Sequence, residues 1–221
     1  MTADWRSPLL LASLVAAIAY PLFWGSGLPQ PGMIALKGLG VGLLAVLAAT
    51  QARSRDGWLF AAVMGFGALG DVLLDIRFEA GVAAFAVGHI IAIVFYRRNR
   101  RVGAPFSRRA FAALIAIAGT ILPFFLIDLD DPRLAGLVVY SLLLTAMAAA
   151  AWLSRFPRAL TGVGALLFVF SDGLIAARMG PLADAAWAGY GIWATYYLGQ
   201  LLIFLGVSRT LEGSHHSATA L

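Results

Sequence analysis

Two aspartates stand in stretches that otherwise read as lipid-soluble helix: Asp71 in Gly70-Asp71-Val-Leu-Leu-Asp75, and Asp172 in Phe168-Val-Phe-Ser171-Asp172-Gly-Leu-Ile. An ionised carboxylate in hydrocarbon costs several kcal/mol unless it is paired or hydrated, so intramembrane acids mark functional sites by default. Carboxyl groups can donate a proton, accept one, stabilise a cation or hold a water. Two of them facing one another in low dielectric cannot both ionise cheaply, which leaves one protonated acid beside one anion. The chain has no cysteine, so thiolate nucleophiles, thiolate metal sites and disulfides are all excluded. Chemistry here must run on oxygen and nitrogen groups.

The elements that position these acids follow from composition. Of the 221 residues, 61% are hydrophobic and only 12% charged, with a mean hydropathy of +0.87. That exceeds what a soluble domain can bury and implies an all-α polytopic membrane protein. Eight apolar segments are predicted, at 8–24, 33–50, 57–76, 79–97, 107–127, 133–154, 158–178 and 186–207, most near the ~20 residues needed to cross hydrocarbon. Arg6 before the first run resembles the start of a signal peptide. Tyr20-Pro-Leu-Phe-Trp-Gly then replaces the small-x-small cleavage site, so the segment reads as a retained first helix. Connections are short and rich in Gly, Pro, Arg and Asp, which predicts one eight-helix domain over 1–207 and a short polar tail over 208–221.

Basic residues set the orientation, because Lys and Arg in short loops stay cytoplasmic. Arg6, Arg53, Arg55, Arg97, Arg98, Arg100, Arg101, Arg108, Arg109, Arg155, Arg158 and Arg209 fall on the side of the N-terminus, against Arg77, Arg133 and Arg178 on the other. Both termini are therefore expected in the cytoplasm, of a bacterial inner membrane. The net charge of +5 serves topology and contact with lipid headgroups rather than nucleic acid.

Orientation converts position into depth. The third and seventh segments both run outward, and Asp71 and Asp172 each lie 14 residues past the expected starts at 57 and 158. At ~1.5 Å per residue both carboxylates come ~9 Å below the outer edge of a ~30 Å core. Lys37, Tyr140 and Tyr190 fall at ~6 to ~10 Å by the same rise, and His89 and Tyr196 near the midplane at ~15 Å. Asp75 shares the helix face of Asp71 four residues earlier. Each residue also has a structural reading. Asp75 is near enough the edge to be simply hydrated, and Lys37 can snorkel to headgroups instead of pairing with a buried Asp. His89 and the tyrosines suit ordinary packing, and the two acids can be a structural pair with Lys37 or Arg178. Glycines 65, 67 and 70 before Asp71, and 162, 164 and 173 around Asp172, suit close helix contact in lipid. No phosphate loop, Gly-x-Ser-x-Gly elbow or His-Glu-x-x-His occurs, and His215 and His216 lie beyond the last helix, so no metal or other cofactor is expected.

Lys37 early in the second segment, Gly70-Asp71-Val-Leu-Leu, Phe85-x-x-Gly88-His89 followed by Tyr96, Tyr140, Gly164-Ala-x-x-Phe168-x-x-Ser171-Asp172 and Tyr196-Tyr197-x-x-Gln200 together resemble the YhhN family of lysoplasmalogenases. The resemblance covers about three quarters of the chain. It implies an eight-helix membrane enzyme that cleaves the vinyl ether bond of a lysophospholipid, releasing a fatty aldehyde and glycerophosphocholine or glycerophosphoethanolamine. Asp71 and Asp172 would then be the catalytic acid/base pair, with Asp172 preferred as acid and Asp71 as the anion held by Lys37. Asp75, His89, Tyr140, Ser171, Tyr196 and Gln200 would support headgroup or water. Intramembrane acids with a lysine and a histidine also fit a proton-coupled transporter. A receptor or purely structural membrane protein is a third possibility, one that leaves the acids without a task. Oligomeric state is not legible.

Overall fold

The computed structural model describes residues 7–219, with side chains to residue 213; Arg6 and the side chains of His215 and His216 lie outside the described residues. The fold is all-helical, and among the described residues the sole β pairing is an isolated bridge between Arg100 and Ser154. In hydrocarbon a backbone must satisfy its own N–H and C=O groups, and helices do so within each segment. The elements are α1 (Pro8–Leu22), α2 (Gln30–Gln51), α3 (Arg55–Leu74), α4 (Phe78–Arg98), α5 (Phe106–Ile121), α6 (Pro123–Leu126), α7 (Leu134–Leu153), a π-turn at Arg158–Gly162 leading into α8 (Val163–Ala177), and α9 (Ala188–Thr219). Among the described residues six helices are long and apolar enough to cross a membrane, and Pro8–Leu22 is a shorter apolar helix. The protein is thus an integral membrane protein. Exposed Val15, Ile18, Leu114, Ile117, Val139 and Phe170 give it the apolar outer surface that lipid demands.

Two boundaries depart from expectation. The stretch 107–127 is not one helix: α5 stops at Ile121 and α6 restarts at Pro123, since proline lacks the N–H for an i−4 bond and its ring crowds the preceding turn. The final helix does not stop at Val207 but continues through Thr219, so the segment expected as a tail is helical over 208–219.

The chain divides into two compact units, Met1–Phe95 with Phe204–Leu221, and Tyr96–Ile203. In the first, α1 packs on α2 and α2 on α3. The Ser13 hydroxyl donates to the Gly40 carbonyl at 2.5 Å, tying α1 to α2. Phe60 of α3 stacks with Phe95 at 5.7 Å and with Phe204 at 6.3 Å between centroids. Ser54 caps α3 by accepting from the Gly57 N–H at 3.2 Å. Gly70 is where α4 comes in: a Cβ there would stand 2.6 Å from the Phe85 ring.

In the second unit α5 packs on α7, and α7 on α8. Thr120 and Thr145 meet at 3.1 Å between α5 and α7, and each also bonds a carbonyl of its own helix, Ala116 and Ser141 respectively. The approach of α8 to α9 is tighter still. A Cβ on Gly164 would lie 2.6 Å from the Gly199 carbonyl oxygen and 2.9 Å from the Ile203 nitrogen. Backbone meets backbone, the contact small residues permit between helices in lipid. Gly164→Ala is therefore expected to lower stability by about 1–3 kcal/mol, read as an earlier thermal transition in detergent. Gly136→Ala, where a Cβ meets nothing within 4 Å, should leave that transition in place.

Candidate functional site

The first unit carries Lys37, Asp71, Asp75 and His89. Asp71 sits in the last turn of α3, buried, and Asp75 caps the same helix one turn on. Lys37, from α2, places Nζ 2.7 Å from Asp75 Oδ1, with side-chain exposures of 12% and 30%. The expected partner of Lys37 was Asp71; the structure gives it Asp75 instead. The reason is reach: Asp75 lies where α3 ends, and a long lysine stem carries its ammonium toward the wetter end of the pair. Gln30 Nε2 also donates to the Asp75 carbonyl at 3.4 Å. Asp75 is therefore an ion-paired acid rather than a merely hydrated one, and the pair carries no net charge.

His89 is buried on α4, four residues after Phe85 and so on the face that Phe85 turns to Gly70. Tyr20 of α1 was read in the sequence only as part of the end of the first segment, not as a site residue. It stacks edge-on with Trp24 at 5.5 Å and lies within the electrostatic reach of Asp75 and Asp71. The only signal for it was a tyrosine next to a proline near the end of an apolar run.

The second unit carries Tyr140, Ser171, Asp172, Tyr196 and Gln200. The Tyr140 hydroxyl of α7 donates to Asp172 Oδ2 of α8 at 2.7 Å. Ser171 is buried and donates to the Ile192 carbonyl at 3.1 Å, so it fastens α8 to α9. Tyr196 and Gln200 share a face of α9, with Gln200 Nε2 3.4 Å from the Tyr196 hydroxyl. Phe168 meets Tyr196 edge-on at 5.2 Å and Trp193 tilts against it at 5.8 Å, which fixes the phenol in an aromatic cage. Among the described residues no three His, Asp or Glu side chains gather as a metal site would require.

On the loop before α7, Asp131 accepts from Arg133 through both carboxylate oxygens, at 2.6 Å to Nη2 and 2.9 Å to Nε. These bonds hold the Asp131 carboxyl down at about 2, below the usual aspartate range. Arg133, expected on the side opposite the N-terminus, is thus already engaged by its neighbour.

The Lys37–Asp75 pair is expected to show coupling in a mutant cycle. Lys37→Met and Asp75→Asn should each cost about 1–3 kcal/mol, between the exposed and buried limits for ion pairs. The double variant should cost less than their sum, measured by chemical or thermal unfolding in detergent.

The YhhN family model matches residues 32–207, which spans every element from α2 to the body of α9. Curated relatives named lysoplasmalogenase from Mycobacterium bovis and Mycobacterium tuberculosis are each 32% identical over 218 residues, covering 93% of this chain and 82% of theirs. Human lysoplasmalogenase TMEM86B is 31% identical over 147 residues, 65% of this chain and 60% of its own. No solved structure matches the chain.

Proposed function

The chain belongs to the YhhN family, and we propose that it shares the activity its relatives are named for, hydrolysing the vinyl ether bond of a lysoplasmalogen within the membrane. The products are a fatty aldehyde and the glycerophospho-alcohol, glycerophosphoethanolamine or glycerophosphocholine. Cleavage of an enol ether begins with a proton added to the β-carbon, which leaves an oxocarbenium ion. Water adds to the cationic carbon, releasing one proton, and the hemiacetal collapses to aldehyde and alcohol. One water is consumed and the catalytic proton is returned.

This sequence calls for an acid to open the reaction and a carboxylate to steady the cation or take the proton from water, the two-carboxyl logic of glycoside hydrolysis. The observation that carries the assignment is the Tyr140–Asp172 bond. With Oδ2 accepting from the phenol, a proton on Asp172 resides on Oδ1 and is oriented for transfer. We assign Asp172 as the acid and Asp71 as the second carboxyl group. Lys37, engaged with Asp75 at 2.7 Å, does not neutralise Asp71 but fixes the end of the helix that bears it. Tyr196 and Gln200, as a hydrogen-bonded pair, supply donors for headgroup or water. His89 is a supporting residue of α4. The lipid's single chain would enter among the helices from the outer leaflet of a bacterial inner membrane, with eight spans and both termini in the cytoplasm.

Purified protein incubated with a lysoplasmalogen should release aldehyde. Asp71→Asn and Asp172→Asn should each lower kcat by about 10²–10⁴-fold, the range for a positioned acid or base. Full activity in either folded variant sinks the two-carboxyl mechanism, and aspartate-dependent solute flux without lipid turnover would replace hydrolysis by transport. Tyr140→Phe removes one hydrogen bond to the acid, worth about 1.5 kcal/mol, and should lower kcat roughly tenfold while KM holds.

A further inference from the structure

Eight arginines and no aspartate or glutamate occupy the two short connections at 97–109 and 155–158. These connections are tied together: the Arg155 N–H donates to the Asn99 carbonyl at 2.8 Å, its guanidinium Nε donates to Asn99 Oδ1 at 2.8 Å, and Arg101 N–H donates to the Leu153 carbonyl at 3.0 Å. Like charges are thus held close rather than left to spread. Two of them, Arg158 and Arg108, border one side chain. Arg158 places its guanidinium 5.7 Å from the Trp152 ring centroid. Phe111 packs on the same indole, at 4.6 Å between centroids. Arg108 lies one turn before Phe111 on the same face of α5, which brings it to the same tryptophan. Arg101 and Arg158 are near enough for their charges to bear on Arg108.

Such a cluster repels itself unless something negative joins it. The hydrogen bonding points the same way: Arg108 Nε and Trp152 Nε1 are both buried donors with no partner among the described residues, and a buried donor left unpaired is costly. What both lack is an acceptor. We propose that Arg101, Arg108 and Arg158, against the wall of Trp152, form a site for the phosphate of an anionic phospholipid headgroup.

Position in the fold selects a lipid over a free anion. Arg158 begins one membrane-crossing segment, Arg158–Ala177, and the segment Leu134–Leu153 ends one residue past Trp152. The cluster therefore stands at the level where helices leave hydrocarbon, which is where phospholipid phosphates lie. Beside it Val102 and Phe106 are 95% and 85% exposed. Two bare apolar side chains flanking arginines suit acyl chains below a charged headgroup. The site uses none of the residues assigned to vinyl ether cleavage, and stands or falls apart from that reading.

The test is lipid retention by the full-length protein in detergent, offered phosphatidylglycerol or phosphatidylcholine and counted by native mass spectrometry. One phosphatidylglycerol should be held in preference to phosphatidylcholine. Arg108→Gln and Arg158→Gln should each weaken its retention about fivefold, the factor for the ~1 kcal/mol of one arginine at an anionic surface. Arg209→Gln, an exposed arginine outside the cluster, should not. Arg101→Gln, at an exposed position, carries the test if the other variants fold poorly. Retention unchanged in all three variants overturns the site. Displacement of the lipid by millimolar inorganic phosphate overturns the lipid and makes this a free-anion site.

Discussion

Hydrocarbon offers no partner to a polar group, and the arrangement of this chain follows from that deficit. Its backbone resolves it by folding into helices. Its hydroxyls resolve it locally, as Thr120 and Thr145 do by bonding carbonyls of their own turns and each other. Its charges resolve it by pairing, as Lys37 does with Asp75. Asp172 takes the phenol of Tyr140, a neutral donor. A neutral partner holds a carboxyl group in place without committing it to ionisation, whereas an ammonium would commit it. The contrast fits the acid role proposed for Asp172 and leaves Asp75 in a structural ion pair.

Much of this was legible because membrane insertion writes itself into composition. The segments containing α2, α3, α4, α7 and the Arg158–Ala177 span were found close to their observed ends, since each is a single apolar run bounded by charge or by glycine and proline. Pro123 was visible too, but apolar residues on both sides hid the break it makes between α5 and α6. The continuation of α9 past Val207 was obscured by its polarity: Ser, Arg, Thr, Glu and His read as tail, although nothing in them except Gly213 opposes a helix.

At the site, depth along each helix was readable and azimuth was not. Asp71 and Asp75 share a face, so the sequence could say that Lys37 meets that face but not which acid it reaches. The choice fell to the longer lever, because a lysine stem extended toward the helix end finds Asp75. Tyr140 and Asp172 were matched in depth from two different segments, and there depth sufficed, since their helices pack directly. Tyr20 escaped because tyrosine near a membrane boundary is common, and only the fold of α1 onto α2 brings it near the acids.

The backbone contact of Gly164 with Gly199 has a mechanical consequence. With no side chain between them, α8 and α9 have nothing compressible to slide on at that point, and over this stretch they behave as a single stiff plate. Asp172 lies eight residues beyond Gly164, ~12 Å along its helix, and Tyr196 one turn before Gly199. The proposed acid and the caged phenol are therefore mounted on one rigid plate, so a bulky guest can be admitted only by parts that flex elsewhere, with the proton donor held still while they do.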